Sequence, residues 1–158
     1  MNRNISIVLL AVIALLASIN VTANDRYGKQ KVVYHINHDD PQAQAGALRN
    51  VQNHINAVSA ESLDLKVVMH GKGLSLLLEP AAAGNTKLKQ GNATNAVQER
   101  IARLKKQGVD FNVCGNTLKK KNIDYERDLY GVDAADIVPS GVAELSRLQG
   151  MGYTYIKP

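Results

Sequence analysis

The chain has 158 residues, of which 19 are lysine or arginine and 14 are aspartate or glutamate, for a formal net charge of +5. Its single cysteine, Cys114, excludes a disulfide within the chain. The one dense basic run, Lys119–Lys121, has no aromatic residues interleaved with it, so we predict no nucleic-acid partner.

The N-terminus has the layout of a secretory signal peptide. Arg3 precedes an apolar run, Ile5–Ile19, and Val21–Ala23 supplies the small residues of a cleavage site. The run is shorter than the roughly 20 residues of a membrane-spanning helix, although an uncleaved anchor stays open as the alternative. We therefore predict a signal peptide over residues 1–23 and a single domain over residues 24–158. The mature protein is expected to be periplasmic or secreted, with no membrane association after signal removal.

The first predicted elements are a strand and a helix. Lys31–Ile36 is rich in β-branched residues, which is typical of a strand. Asp40 suits the N-cap of a helix, and Pro41 suits its first position because proline has no N–H group to leave unpaired. The helix is expected to bury a stripe of apolar residues at three- and four-residue spacing, namely Leu48, Val51, Ile55 and Val58.

The middle of the chain is less regular. Leu63–Met69 predicts a second strand. Leu74–Leu78 fits either a short buried helix or a further strand, because periodicity does not decide between them. Pro80–Asn92 has the composition of a surface loop. A second long helix is expected to start near Asn95, with Gln98 completing a capping box.

The last third alternates strands and helices. Strands are predicted at Val109–Cys114, Asp136–Val138 and Tyr153–Ile156, with helices from Gly115 and from Ser140. The final helix is expected to turn Val142, Leu145 and Leu148 inward. Strands that alternate with helices predict an α/β fold, with three α/β/α layers around a mostly parallel five-stranded sheet.

Polar and reactive side chains follow the predicted strands at the points where each strand ends. Since parallel strands point the same way, their carboxyl ends meet at one edge of the sheet, where ligands usually bind. The candidate site residues at this edge are His35, Asn37, His38, His70, Gly71, Cys114, Gly115, Asn116 and Ser140. His54 lies within the first helix and is interpreted as structural or surface-exposed.

Cys114 stands between a strand and the start of a helix. The unpaired N–H groups and positive dipole end of that helix favour a thiolate, the nucleophilic form of cysteine. Gly115 would let another molecule approach the sulfur, and Asn116 would donate hydrogen bonds to a bound anion. Two alternatives stay open at this point: a buried, inert Cys114, and a purely structural His70.

His35 and His38, with Asp39 and Asp40, could offer nitrogen and oxygen ligands to zinc or copper, but their spacing matches no strong metal motif. We predict no metal site and no cofactor.

Four segments, "KVVYHINHDDPQAQAGALRNVQNHINA", "LKVVMHGKGLSLLL", "GVDFNVCGNTLKKKNI" and "ADIVPSGVAELSRLQGMGYTYIKP", together resemble an exported member of the DsrE/DsrF-like family. The resemblance implies a small α/β domain that forms homotrimers or hexamers. Several members take part in sulfur oxidation or in sulfur relays for tRNA thiolation, and they carry sulfur as a persulfide on a cysteine at the end of a strand. Cys114 matches that cysteine, His70 matches a nearby histidine, and Asn116 matches part of the same pocket.

These patterns and the resemblance predict an exported sulfur-handling protein in which Cys114 accepts a persulfide and His70 manages protons. Its expected partners are further copies of itself and a sulfur-donor or sulfur-acceptor protein. The alternative is a non-catalytic oligomeric module that binds a small anion or a metal at the same edge of the sheet.

Overall fold

A computed structural model describes residues 26–158, so the predicted signal peptide lies outside the described residues. Five strands form one sheet in the order β4-β3-β2-β1-β5, and every pair of neighbours is parallel. The strands are β1 (Gln30–Ile36), β2 (Leu63–Met69), β3 (Asp110–Cys114), β4 (Ile137–Val138) and β5 (Thr154–Ile156).

Helices connect the strands. The α-helices are α1 (Pro41–Val58), α2 (Asn95–Lys106), α3 (Gly115–Lys121), α4 (Tyr125–Asp128) and α5 (Gly141–Gly150). Four short 3₁₀ segments lie at Ala60–Ser62, Gly71–Leu76, Pro80–Asn85 and Ala134–Asp136. None of the helices in residues 26–158 has both the length and the apolar character needed to cross a bilayer.

The start of α1 follows the predicted capping chemistry. The Asp40 carboxylate accepts a hydrogen bond from the Ala43 N–H at 2.6 Å, and Pro41 is the first helical residue. The predicted stripe of α1 is buried. His54 flanks the stripe, and its ring is hydrogen-bonded to Tyr34 and Gln30 of β1.

Alternation along the strands divides their side chains between two cores. The larger core packs one face of the sheet, represented by Met69 and Phe111, against α1 and α2. The smaller core, on the other face, joins Val33 and Val68 to Leu145 and Leu148 of α5. The α/β/α prediction is therefore confirmed, and the sheet is parallel throughout.

Three local predictions were wrong. Val142 is 64% exposed, because the buried face of α5 is formed by Gly141, Leu145 and Leu148 and Val142 lies to one side of it. Pro80–Asn92 is not a loose surface loop, since it forms a 3₁₀ segment and buries apolar side chains. Gln98 does not complete a capping box: its amide donates to the Glu79 carboxylate and to a backbone carbonyl.

Buried amides hold the loops at the carboxyl edge of the sheet. Gln44 donates to the His38 carbonyl at 2.7 Å and to the Ser75 hydroxyl at 2.9 Å. Asn92 donates to the Asp39 carbonyl at 3.0 Å. Because these amides are buried and their hydrogen bonds are made within the protein, the loop after β1 is held in one arrangement beside the loop after β2.

Candidate functional site

The sulfur of Cys114 lies where two helices begin. Cys114 ends β3 and is the N-cap residue of α3. The groups that lower the pKa of its thiol are the Thr117 hydroxyl and the backbone N–H groups of Gly141, Thr117 and Asn116. The Asn116 N–H also donates to the Pro139 carbonyl at 3.2 Å. Asn116 and Thr117 belong to α3, whereas Gly141 opens α5, so polar groups at the starts of two helices act on the sulfur.

These polar groups favour the thiolate. Burial on its own would raise the pKa of the Cys114 thiol, but the nearby donors of Thr117, Gly141 and Asn116 outweigh it, so that the pKa lies below its ordinary value. Cys114 is 5% exposed, which places it just beneath the surface. The site therefore combines a thiol of lowered pKa with narrow access.

The loop after β2 orients the Thr117 hydroxyl. The Gly71 N–H donates to Thr117 Oγ1 at 2.9 Å, so the hydroxyl hydrogen remains available to the Cys114 sulfur. Gly71 adopts a φ of 58°, in the left-handed region where glycine is favoured. Strand β2 thus contributes to the cysteine site through a glycine and a threonine.

Gly141 separates Cys114 from His70. A Cβ atom added at Gly141 would lie 3.0 Å from the His70 Cβ and 3.3 Å from the Cys114 Cβ. Only a residue without a side chain fits between these neighbours without displacing one of them. Cys114 and His70 are therefore close in space, although His70 is not among the hydrogen-bond partners of the sulfur.

His70 is bonded instead to His35. Their Nε2 atoms are 2.8 Å apart, and His35 Nδ1 is 2.7 Å from the Tyr155 hydroxyl. The two imidazole rings lie 28° from coplanar with centres 4.7 Å apart. Since the nitrogens are much closer than the ring centres, the rings meet edge to edge. Tyr155, His35 and His70 thus form a continuous hydrogen-bonded line.

Both imidazoles are neutral at neutral pH. Burial, with smaller contributions from His70, Lys157 and His38, lowers the pKa of His35 from 6.5 to about 4. Burial and the Lys157 ammonium group also lower the pKa of His70. Each ring therefore carries one proton, and its two nitrogens act as one donor and one acceptor.

Two open cavities flank this region. One, of about 470 Å³, is lined by His35, His70 and Tyr155 together with the facing side of α5. The other, of about 760 Å³, lies between α3, α4 and β4 and begins at Gly115. Cys114 lines neither of them, although its neighbour Gly115 lines the larger and the nearby His70 lines the smaller.

The remaining predicted site residues have different surroundings. Gly115 packs closely on β4, because a Cβ there would lie 3.3 Å from the Val138 carbonyl oxygen. Ser140 caps α5 by accepting from the Ala143 N–H at 3.4 Å. No hydrogen bond within residues 26–158 joins the side chains of Asn37 or His38 to Cys114.

Two polar side chains near this edge have buried atoms without partners in residues 26–158. Both ring nitrogens of His38 and the Oδ1 of Asn112 are of this kind. Asn112 is two residues before Cys114, on the same face of β3.

No group of three or more histidine, cysteine or acidic residues in the described part of the chain is placed to hold a metal ion.

Sequence reasoning missed two contributors to the site, Tyr155 and Lys157. Tyr155 is 120 residues from His35, and its position depends on β5 pairing with β1, which no local pattern indicates.

The parallel sheet with a free cysteine at the end of one strand defines the class: a small α/β protein with a cysteine site at the carboxyl edge. The family model described as the DsrE/DsrF-like family matches residues 31–158, and the chain belongs to this family. No curated protein matches the chain.

A solved structure, "Protein of Unknown Function MTH1491 from Methanobacterium thermoautotrophicum", is similar to the chain. The two share 29% sequence identity with a TM-score of 0.64. The match covers 82% of this chain and all of the other, which supports the same fold over nearly the whole domain.

Proposed function

We propose that the protein is an exported sulfur carrier that holds sulfane sulfur as a persulfide on Cys114. The observation that carries the proposal is the position of Cys114 at the start of α3, where the Thr117 hydroxyl and three backbone N–H groups lower the pKa of its thiol. Membership of a family linked to sulfur relay supports the same function. A persulfide anion at this position would gain from the same donors as the thiolate.

The loading step needs no external oxidant. The Cys114 thiolate attacks the sulfane sulfur of a donor, a new S–S bond forms, and the bond between that sulfur and the rest of the donor breaks. The leaving group takes the electron pair, and the terminal sulfur remains on Cys114. Because Cys114 is only 5% exposed, the donor is a small sulfane compound or the tip of a persulfide side chain on a partner protein.

Mass spectrometry of the intact protein after incubation with polysulfide tests this proposal. We expect a mass increase of one or more sulfur atoms that is removed by a reducing agent and maps to Cys114. Cys114→Ser is the control and should show no increase. An unmodified wild-type protein under these conditions would contradict the proposal.

We further propose that the protein is a homo-oligomer, a trimer or a hexamer. Two large apolar side chains at the two ends of α5, those of Val142 and Met151, are 64% and 49% exposed. Light scattering coupled to gel filtration should show more than one copy, and Val142→Lys should reduce the assembly. A monomer at micromolar concentration would contradict this proposal.

Export is proposed from the sequence of residues 1–23. Expression in a Gram-negative bacterium followed by periplasmic extraction should yield a chain whose N-terminal sequence starts near Asn24. Recovery of the full-length chain in the cytoplasmic fraction would contradict it.

The second candidate is a non-catalytic module that binds a small anion. The observation in its favour is that the cavity of about 470 Å³ is lined by His35 and His70 and does not include Cys114. In that case Cys114→Ser would keep the affinity for the anion, whereas His70→Ala would lower it. Titration calorimetry with sulfite, comparing the two variants, separates this candidate from the sulfur carrier.

A further inference from the structure

The line formed by Tyr155, His35 and His70 has features that the persulfide proposal does not use. His35 is 7% exposed and has both ring nitrogens bonded, one to Tyr155 and the other to His70. Tyr155 is 40% exposed, so its hydroxyl lies at the solvent end of the line. The line therefore runs from solvent, through a buried imidazole, to the residue next to the cysteine site.

His70 has one ring nitrogen left free. Its Nε2 is bonded to His35, and its Nδ1 has no hydrogen-bond partner within residues 26–158. That Nδ1 is not one of the buried unpartnered atoms of the described chain, so it is reached by solvent. His70 also borders Gly141 through its Cβ and Cδ2 atoms, and Gly141 in turn borders the Cys114 Cβ. The line therefore ends at a residue that is a close neighbour of Cys114.

Two proton arrangements satisfy the same hydrogen bonds. In the first, Tyr155 donates to His35 Nδ1, His35 Nε2–H donates to His70 Nε2, and His70 carries its proton on Nδ1. In the second, His70 Nε2–H donates to His35 Nε2, His35 Nδ1–H donates to the Tyr155 oxygen, and His70 Nδ1 is a free acceptor. The second arrangement becomes the first when one proton enters at His70 Nδ1 and another leaves from the Tyr155 hydroxyl.

We propose that Tyr155, His35 and His70 form a proton relay between solvent and the Cys114 site. The inference rests on the proposed function, because the proton that it moves is the one that Cys114 loses before attack. His70 Nδ1 accepts that proton directly or through one water molecule, and the His70 Nε2 proton passes to His35 Nε2. The His35 Nδ1 proton passes to the Tyr155 oxygen, and the hydroxyl proton of Tyr155 goes to solvent. Each of the three side chains gains one proton and loses one, so all three are neutral before and after the transfer.

The surroundings favour this neutral relay over a single charged base. The groups that act electrostatically on His35 are His70, Lys157 and His38, and none of them is acidic. With no carboxylate to stabilise an imidazolium, His70 alone would be a poor store for a proton at neutral pH. Moving one proton in while another leaves avoids that charged state. His70 is the catalytic residue of this relay, whereas His35 and Tyr155 act through it.

The reaction test uses Tyr155→Phe, which removes the hydroxyl and keeps the ring. We expect persulfide loading at neutral pH to be about 10-fold slower or more, which is less than the roughly 10²- to 10⁴-fold effect of a positioned acid or base because Tyr155 acts through two other groups. His35→Gln, which interrupts the line at its centre, should be slowed to a similar extent. Tyr125→Phe is the matched control, because its hydroxyl bonds Glu126 on the surface. Loading of Tyr155→Phe at the wild-type rate would overturn the relay.

A second measurement does not depend on sulfur chemistry. In ¹⁵N-labelled Cys114→Ser protein, ¹⁵N spectra of the imidazoles report which ring nitrogen carries each proton. We expect intermediate shifts at both nitrogens of His35 and His70, from exchange between the two arrangements, and a collapse to one tautomer in the added Tyr155→Phe variant. One fixed tautomer in both proteins would overturn the relay, whereas failure to form a persulfide in wild type would overturn only the proposed function.

Discussion

Removing the Thr117 hydroxyl tests how the site lowers the pKa of Cys114. Thr117→Val has nearly the same shape as threonine but cannot donate to the sulfur, whereas the three backbone N–H groups stay in place. A hydrogen bond to a charged group contributes about 1.5–3 kcal/mol. Since one pKa unit corresponds to about 1.36 kcal/mol, the thiol pKa should rise by about one to two units.

The same substitution has a cost in stability that must be measured separately. The Gly71 N–H loses the oxygen to which it donates, and an unpaired donor in a half-buried position destabilises the fold by about 1–3 kcal/mol. Urea denaturation of Thr117→Val therefore accompanies the pKa measurement. Thr117→Ser is the matched control, because it keeps the hydroxyl for both partners.

The assay is the rate of Cys114 alkylation by iodoacetamide as a function of pH in the native protein. The midpoint of the rate profile gives the thiol pKa, since the thiolate is the reactive form. We expect a higher midpoint in Thr117→Val and a wild-type midpoint in Thr117→Ser. An unchanged midpoint in the valine variant would refute the role of the hydroxyl in holding the anion.

Two further predictions concern packing and pH. Gly141→Ala should destabilise the protein by about 1–3 kcal/mol in urea denaturation, because its Cβ would press on His70 and Cys114. Gly84→Ala is the control, because a Cβ at Gly84 would meet open space. Equal stability of the two variants would contradict the packing argument. For His35 the folded-state pKa of about 4 lies below the ordinary 6.5, so the unfolded chain binds more protons between these values and stability falls as pH falls through that window. His35→Gln should flatten the dependence of unfolding free energy on pH between 6.5 and 4. An unchanged slope would show that folding does not lower the pKa of His35.

The sequence predicted the edge at which the site lies, because a parallel sheet brings all strand ends together regardless of their order. His35, His70 and Cys114 could therefore be assigned to one edge of the sheet from the chain alone. The contact between His35 and His70 depends on the register of β1 and β2, which aligns Ile36 with Met69. Periodicity within a strand carries no information about its neighbour's register, so this pairing could not be predicted.

Individual side chains were harder to predict than the edge. Ser140 has the residue type of a ligand donor, but at the first position before α5 its hydroxyl is used as a helix cap. Gly115 looked like an opening to the sulfur, yet it is required for close packing of α3 on β4. The spacing of Val142 matches that of Leu145 and Leu148, but the helix buries Gly141 instead. In each case the outcome depends on what the neighbouring element occupies, which the local sequence does not contain.

Quantitative cyanolysis tests the central claim, that Cys114 carries transferable sulfur, most directly. The protein is loaded with polysulfide, freed of small molecules by gel filtration and treated with cyanide, which converts a terminal sulfane sulfur to thiocyanate. We expect close to one equivalent of thiocyanate per chain from wild type and none from Cys114→Ser. Equal yields from the two proteins, or no thiocyanate from wild type, would contradict it.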